Sequence, residues 1–536
     1  MKKVSFLLVI VCSSFLLSCN DEILPTLPAS TIILNSNSEE LNVRVAKEGT
    51  GVIGVINTNN NITAGRIESP GNLPLELVAQ VNPPSYEGNT LQATHVDIHE
   101  NFAYVTYATQ GEKHLGAIDI FDISQINTPK ISSQAIFTNA DLTAVKYHEG
   151  KLYISSAFDI DSEASIKSPA NLISVSTQNG QFTSDFIIEP LRGFAGMDVT
   201  YTEENIVTVT ATHGAISLLT KNNPILVREK SYPDLRSVLA TKESLVVLDG
   251  IQGIHFLNPN SLQPIRTIAL EEGLPASKRT LDSYENMLIV SEGQKGAGLY
   301  DLSTGAALHR LRIPNRENNP EHVTNAVSVN NSHLYMANGG AGISIANVSG
   351  PSSIEEIGVL ELQGSANFIK VNDKHIIVAA GTKGVKILRI TMAEESFKNE
   401  ICGNLPYYTG GNNININTNR PQGYYGSVVA ETLNINDHFT FCGSLAVKGW
   451  ANINSNGSFN MNGTLTVGQY GKDSGMNIND IFSIDGHLII YGDLTLNSNA
   501  KLEFLGENSS ITVYGKVNRN SGHIIRGKYV DTEGKL

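Results

Sequence analysis

Between residues 94 and 390 the chain repeats one strand–turn–strand unit seven times, at intervals of roughly forty to fifty residues. A period of that size confines the fold to a repeat architecture, in which each unit buries its apolar face against the next. Thr94–Glu100 leads into Phe102–Val105, Thr143–Glu149 into Leu152–Ile154, and Val199–Glu203 into Ile206–Val209. Ser237–Glu243 leads into Leu245–Leu248, Tyr284–Asn286 into Leu288–Val290, Asn325–Asn331 into Leu334–Met336, and Asn367–Asp373 into Ile376–Val378. A third strand, opened by glycine, follows at Gly116, Gly214, Gly253, Gly298, Gly342 and Gly384. A fourth follows a polar turn, as in Leu311–Ile313 or Val359–Leu362. Four short strands per unit in seven units predict an all-β fold, a seven-bladed β-propeller. The seventh unit ends at Ile387–Ile390 without a fourth strand, and Leu75–Val81 precedes the first unit alone. Pairing them closes the ring and removes an open sheet edge.

The first residues carry an address. Lys2 and Lys3 precede an apolar run, Val4 to Leu17, of signal-peptide length and too short to span a bilayer. The run ends in Leu16-Leu17-Ser18-Cys19, which resembles the lipobox of bacterial lipoproteins, and the following Asn20-Asp21-Glu22 resembles the surface-export signal of Bacteroidota lipoproteins. The resemblance implies cleavage before Cys19, its lipidation, and a protein held on the outer membrane and exposed at the cell surface. Such an anchor attaches a chain to a membrane without crossing it. Asp plus Glu outnumber Lys plus Arg by 52 to 38, a net charge of −14, and losing Lys2 and Lys3 makes the mature chain more acidic. That balance argues against nucleic acid as a partner.

The repeats resemble the LVIVD-repeat propellers, in Gly116–Asp122 with Phe102–Val105 and in Gly342–Asn347 with Leu334–Asn338. The resemblance covers about residues 70–393 and implies a fold and a secreted setting, with no common reaction. The expected organisation is a signal peptide over 1–18, a tether and extension over 19–69, the propeller over 70–393, and a different module over 394–536.

That last module is rich in Asn and Gly. Short alternating runs recur at Leu445–Val447, Phe459–Met461, Leu465–Val467, Leu488–Ile490, Leu494–Leu496, Leu502–Phe504 and Ile511–Val513. Runs this short suit the coils of a β-solenoid, on which asparagines can ladder. A small sandwich is the alternative. Of four cysteines, Cys12 leaves with the leader and Cys19 takes lipid. Cys402 and Cys442 remain in an oxidising compartment, as a candidate disulfide or as two buried thiols. A bridge there is worth roughly 4 kcal/mol in the chain-entropy account.

Candidate ligand groups fall in two sets. Thr94, Thr143, Ser237, Thr280, Asn325 and Asn367 recur near the start of the first strand of their units, where a propeller lines its channel. They suit either a small ligand or hydrogen bonding between blades. In the C-terminal module Tyr407, Tyr424 and the single tryptophan, Trp450, could stack on sugar rings, or pack between strands. His95, Asp97 and His99 alternate and so share one side of a strand. Their repeat equivalents include Lys146, Lys242 and Lys370, which argues against a metal. Asp159, Asp161 and Glu163 alternate like the first ligands of a calcium loop, but Ala164 and Ala170 stand where glycine and glutamate are needed. No cofactor or metal is expected. Nucleophile-elbow, phosphate-loop and His-Glu-x-x-His motifs are absent from the sequence. The reading is a non-catalytic scaffold for glycan or protein at the cell envelope. The alternatives are a glycan hydrolase or lyase with acids at the propeller mouth, and an envelope assembly component without a small ligand.

Overall fold

The computed structural model describes residues 31–55, 73–125, 127–162, 165–270, 277–314, 319–351, 353–360, 362–390, 402–417 and 422–536. The leader, Cys19, the Glu163-Ala164 step of the acidic loop and the 393/394 boundary lie outside them.

Seven antiparallel sheets, each of at least four strands, follow one another in chain order. Their innermost strands are Gln92–His99, Ala140–His148, Ala195–Tyr201, Leu235–Ala240, Leu281–Tyr284, His322–Asn330 and Phe368–Val371. Each packs beside the next, and the last returns to the first. Second strands such as Leu245–Asp249, Met287–Ser291 and His375–Ala379 are buried along their whole length. With both sheet faces covered, they read as unbroken apolar runs with no alternation. Outer strands differ. In blade five the fourth strand is Ala307–Leu311, earlier than the apolar run expected at Leu311–Ile313. Only Leu311 of this strand is buried and Leu308 partly so, while Ala307, His309 and Arg310 face solvent, so no continuous apolar run marks it. In the same blade the third strand begins at Ala297, and Gly296, at φ +89°, takes the turn expected of Gly298.

Leu75–Val81 pairs antiparallel with Val385–Ile390, from Leu75 opposite Ile390 to Val81 opposite Val385. The N-terminal strand is therefore the fourth strand of blade seven and closes the ring, as its isolation in sequence predicts. Residues 31–55 add a strap outside it. Ile32–Asn35 pairs with the outer strand of blade one. A short helix, Ser38–Asn42, starts on the Asn37 side chain, which accepts from the backbone N–H groups of Glu39 and Glu40. Val45–Ala46 and Gly51–Ile53 then pair with Leu75–Val81.

The C-terminal module departs from this pattern: every strand pairing in it is parallel. It is a β-solenoid of about six turns with three faces. Asn413–Ile416, Thr432–Ile435, Trp450–Ile453, Gly475–Ile478, Asp493–Leu496 and Val517–Arg519 stack as the first face. Long strands, His438–Val447, Ser458–Val467 and Ile481–Ile490, supply the second and third faces. Leu445–Val447, Phe459–Met461, Leu465–Val467 and Leu488–Ile490 are halves of these ten-residue strands, Leu494–Leu496 belongs to the first face, and Leu502–Phe504 and Ile511–Val513 are separate strands paired with the two halves of Ile481–Ile490. A glycine column, Gly426, Gly443, Gly463 and Gly486, stands in register between the halves at φ +148°, +114°, +129° and +139°. Only glycine adopts such a backbone without strain, so the column makes the corner. Inside, Phe439, Phe459 and Phe482 stack with ring centroids 5.2 Å apart at each step.

Both ends of the stack are covered, which a solenoid requires. At one end the Cys402–Cys442 disulfide ties residues 402–411 across the first turn. There Tyr408 donates its backbone N–H to Tyr425 O at 3.0 Å and seals the core with its ring. At the other end Lys535 Nζ reaches Tyr514 O and Gly515 O, and Leu536 packs on the core.

The strap joins the two bodies. Val52 N donates to Gly468 O at 3.0 Å, and Tyr470 N to Thr50 O at 2.7 Å. A Cβ at Gly51 would run into the Gly468 carbonyl, so only glycine allows this approach. Val52, Val429 and Ala446 form a small shared apolar cluster. Glu76, fully buried on the closing strand, pairs with Arg389 across blade seven. It also accepts from Thr466 Oγ1 at 2.8 Å and Tyr491 Oη at 3.2 Å, both on the solenoid.

Candidate functional site

A propeller brings seven free strand edges to its centre, and their N–H and C=O groups need partners. The small polar residues singled out in sequence supply many of them. Thr94 Oγ1 donates to Leu142 O of blade two at 2.8 Å, and Thr143 Oγ1 to Gly196 O of blade three at 2.6 Å. Ser237 Oγ donates to Asp198 Oδ2 at 2.6 Å, and Thr280 Oγ1 accepts from Val327 N of blade six at 3.1 Å. Asn325 Nδ2 donates to Ala366 O, and Asn367 Nδ2 to Ala93 O, each at 3.4 Å. The six residues thus form one ring, and each bonds to a neighbouring blade.

His95, Asp97 and His99 do share a side, and that side is blade two. His95 Nδ1 accepts from Val145 N at 3.4 Å, Asp97 Oδ2 accepts from Tyr147 N at 2.8 Å, and His99 stacks on Tyr147 at 4.3 Å. Burial holds His95 well below the usual imidazole range, with Lys278 adding to the effect, so it stays a neutral acceptor. The pattern recurs: Asp282 Oδ2 accepts from Val329 N at 3.0 Å, and Ser328 Oγ from Val371 N at 3.2 Å. Side chains of one inner strand therefore cap the edge N–H groups of the next. Among the described residues no group of three His, Cys, Asp or Glu side chains is placed to hold a metal. In the acidic loop Asp159 accepts from Asp161 N at 3.0 Å, a local turn.

Lys278, which carried no motif, crosses the channel. It precedes the inner strand of blade five, yet its Nζ donates to Thr143 O at 2.5 Å and Thr94 O at 3.3 Å on blades two and one. The ammonium also sits 5.2 Å from the centroid of Phe368, whose ring lies 3.9 Å from His95. The signal was the adjacent cationic pair Lys278-Arg279 just before an inner strand, since no such pair precedes the other six inner strands. Burial pushes the Lys278 pKa down to about 8, against the pull of Asp198. A lysine with a lowered folded pKa binds fewer protons folded than unfolded between pH 8 and 10.5, so its contribution to stability grows as pH rises through that window. Lys278→Met is expected to abolish an alkaline gain on the order of 2 kcal/mol, read as the wild-type-minus-variant difference in urea unfolding between pH 7 and 10.

Acids at the propeller mouth are paired. Asp141 lies 2.8 Å from His114 and accepts from Thr109 N, Asp234 holds Arg236, and Glu292 holds Arg310 while accepting from Tyr300 Oη at 2.6 Å. In the solenoid Tyr424 packs edge-on to Tyr408 at the capped end, and Tyr407 meets Tyr425 edge-on, both about half exposed at 44% and 45%. Trp450 stands apart from them, on the first face, partly exposed at the start of its strand.

These features define a β-propeller joined to a β-solenoid. No protein-family profile and no curated protein matches the chain. Solved structures with similar folds include the WD40 β-propeller domain of Doa1, at 11% identity and a TM-score of 0.42, over 62% of this chain and 99% of that one. The WD40 repeats of RRP9 match at 11% identity and a TM-score of 0.44, over 61% and 100%. The computationally designed Ika8 protein matches at 10% and 0.39, over 64% and 98%. The fold assignment rests on the strand pairing within this chain.

Proposed function

We propose that the chain is a lipid-anchored binding scaffold of the cell envelope, a propeller lipoprotein of the LVIVD-repeat, Bacteroidota type, displayed on the outer membrane and taking a glycan or a protein. Propellers commonly serve as protein-binding scaffolds. The observation that carries the reading is the state of the polar groups at the centre. The ring from Thr94 to Asn367 bonds to neighbouring blades, and the mouth acids Asp141, Asp234 and Glu292 are each paired with a cationic or imidazole side chain, which leaves recognition to outward surfaces. Leu16–Cys19 supports the anchor. Cys19→Ala is expected to move the protein from the membrane to the soluble fraction on cell fractionation. Unchanged membrane retention would overturn the anchor. A glycan array with the mature ectodomain, followed by product analysis, tests the ligand. Shortened glycan would turn attention to Asp141, whose carboxyl burial raises beside His114.

A further inference from the structure

We propose that the outward side of the first solenoid face is a binding platform for a neutral, linear polysaccharide lying along the stacking axis. The inference deepens the scaffold reading above and rests on it.

Of the three faces, the third lies against the propeller through Thr466, Val429 and Ala446. The second is crossed at its first turns by the disulfide-tied segment and carries Asp485, Glu503 and Arg526 further on. On the first face Ile414, Ile416, Leu433, Ile435, Ala451, Ile453, Met476 and Ile478 point inward and are buried. Alternation then turns Asn415, Asn434, Asn452 and Asn477 outward, exposed or partly so. Their amides form a ladder: Asn434 Nδ2 donates to Asn415 Oδ1 at 3.0 Å, Asn452 Nδ2 to Asn434 Oδ1 at 2.9 Å, and Asn477 Nδ2 to Asn452 Oδ1 at 2.9 Å.

Three physical points select the ligand. First, the four strands from Asn413 to Ile478 on this face hold no charged residue, in a chain of net charge −14. A ligand recognised by charge finds no partner there, and a neutral one meets no repulsion. Second, an amide has two donors and two acceptor lone pairs, and the ladder uses one of each in Asn434 and Asn452. The remainder recurs once per turn, about 4.8 Å apart. Each amide is already oriented by its neighbours, so little ordering cost remains on binding. Vicinal sugar hydroxyls match that donor–acceptor pattern, and an extended β-linked chain advances nearly one turn of the solenoid per ring. Third, Trp450 begins the strand that holds Asn452 and offers a flat apolar surface to one sugar ring.

The test uses the full mature chain in native affinity gels containing hydroxyethyl cellulose, glucomannan or, as the anionic control, polygalacturonate. The wild type is expected to be retarded by at least one neutral polymer and not by polygalacturonate. Trp450→Ala and Asn452→Asp are expected to weaken retardation about tenfold each, with far-UV circular dichroism and melting unchanged for Trp450→Ala. Retardation that survives both variants would overturn this face as the platform while leaving the scaffold reading intact. No retardation by either neutral polymer, or retardation by polygalacturonate alone, would overturn the neutral-glycan assignment; the scaffold reading would then stand or fall on a protein partner. Loss of self-association in the variants, seen by sedimentation, in place of lost retardation would overturn it in favour of a second copy of the chain.

Discussion

Glu76→Ala is expected to destabilise the protein by about 3–5 kcal/mol, the range for removing one member of a buried ion pair. Glu76 is fully buried, and its carboxylate serves three partners: Arg389 in blade seven, and Thr466 and Tyr491 in the solenoid. Its removal strands the Arg389 guanidinium and unpairs two solenoid hydroxyls where water does not reach. Because the same strand closes the propeller ring, loss at this point loosens closure and docking together. Unfolding in guanidinium, followed by Trp450 fluorescence for the solenoid and by circular dichroism for the whole, is expected to shift to lower denaturant by both probes. A shift in only one probe would show that closure and docking are independent. The double variant Glu76→Leu, Arg389→Met removes both charges and is expected to recover much of the loss, since apolar replacement of a buried pair is often neutral or better.

That site shows where sequence reading stops. The blades were legible because buried second strands such as Leu245–Asp249 are continuous apolar runs between turns, a pattern set by local surroundings. The closing strand was legible because Leu75–Val81 had no partner nearby and blade seven lacked one. Counting cysteines singled out Cys402 and Cys442 as a bridge or as two buried thiols, and the structure joins them. By contrast, the Glu76 cluster joins residues 76, 389, 466 and 491, and no local pattern links positions so distant. Its one trace is a charge inside the apolar run Leu75–Val81. Lys278 is similar, since its partners belong to blades on the far side of the channel. The polar ring was legible as a recurrence, but two roles fit its composition, and the inter-blade distances tell which groups it touches. In the solenoid the glycines read as breaks between short strands, because sequence does not distinguish a strand end from a strand that bends.

The bend makes the second large prediction. Gly463→Ala is expected to cost about 4 kcal/mol or more, placing it among the exceptional single substitutions. Two penalties combine there. Gly463 has φ +129°, a backbone that side chains rarely adopt, which alone costs on the order of 1–3 kcal/mol. A Cβ would also be driven into the Gly443 carbonyl oxygen of the turn below, and that oxygen belongs to the stacked backbone and has no room to retreat. Gly486 meets Gly463 in the same way, so a displaced corner propagates along the column. Gly150→Ala separates the two penalties: that hairpin glycine has φ +82°, but nothing lies within 4 Å of its Cβ position. It is expected to cost about 1 kcal/mol, from conformation alone. Both variants are read by denaturant unfolding of the full chain, with Trp450 emission reporting the solenoid from the strand that precedes the Gly463 strand. Equal, small losses in the two would mean that neighbouring turns slide apart at little cost. The three-faced stack would then be held by its Phe439–Phe459–Phe482 core and its two caps, with the glycine corner contributing little.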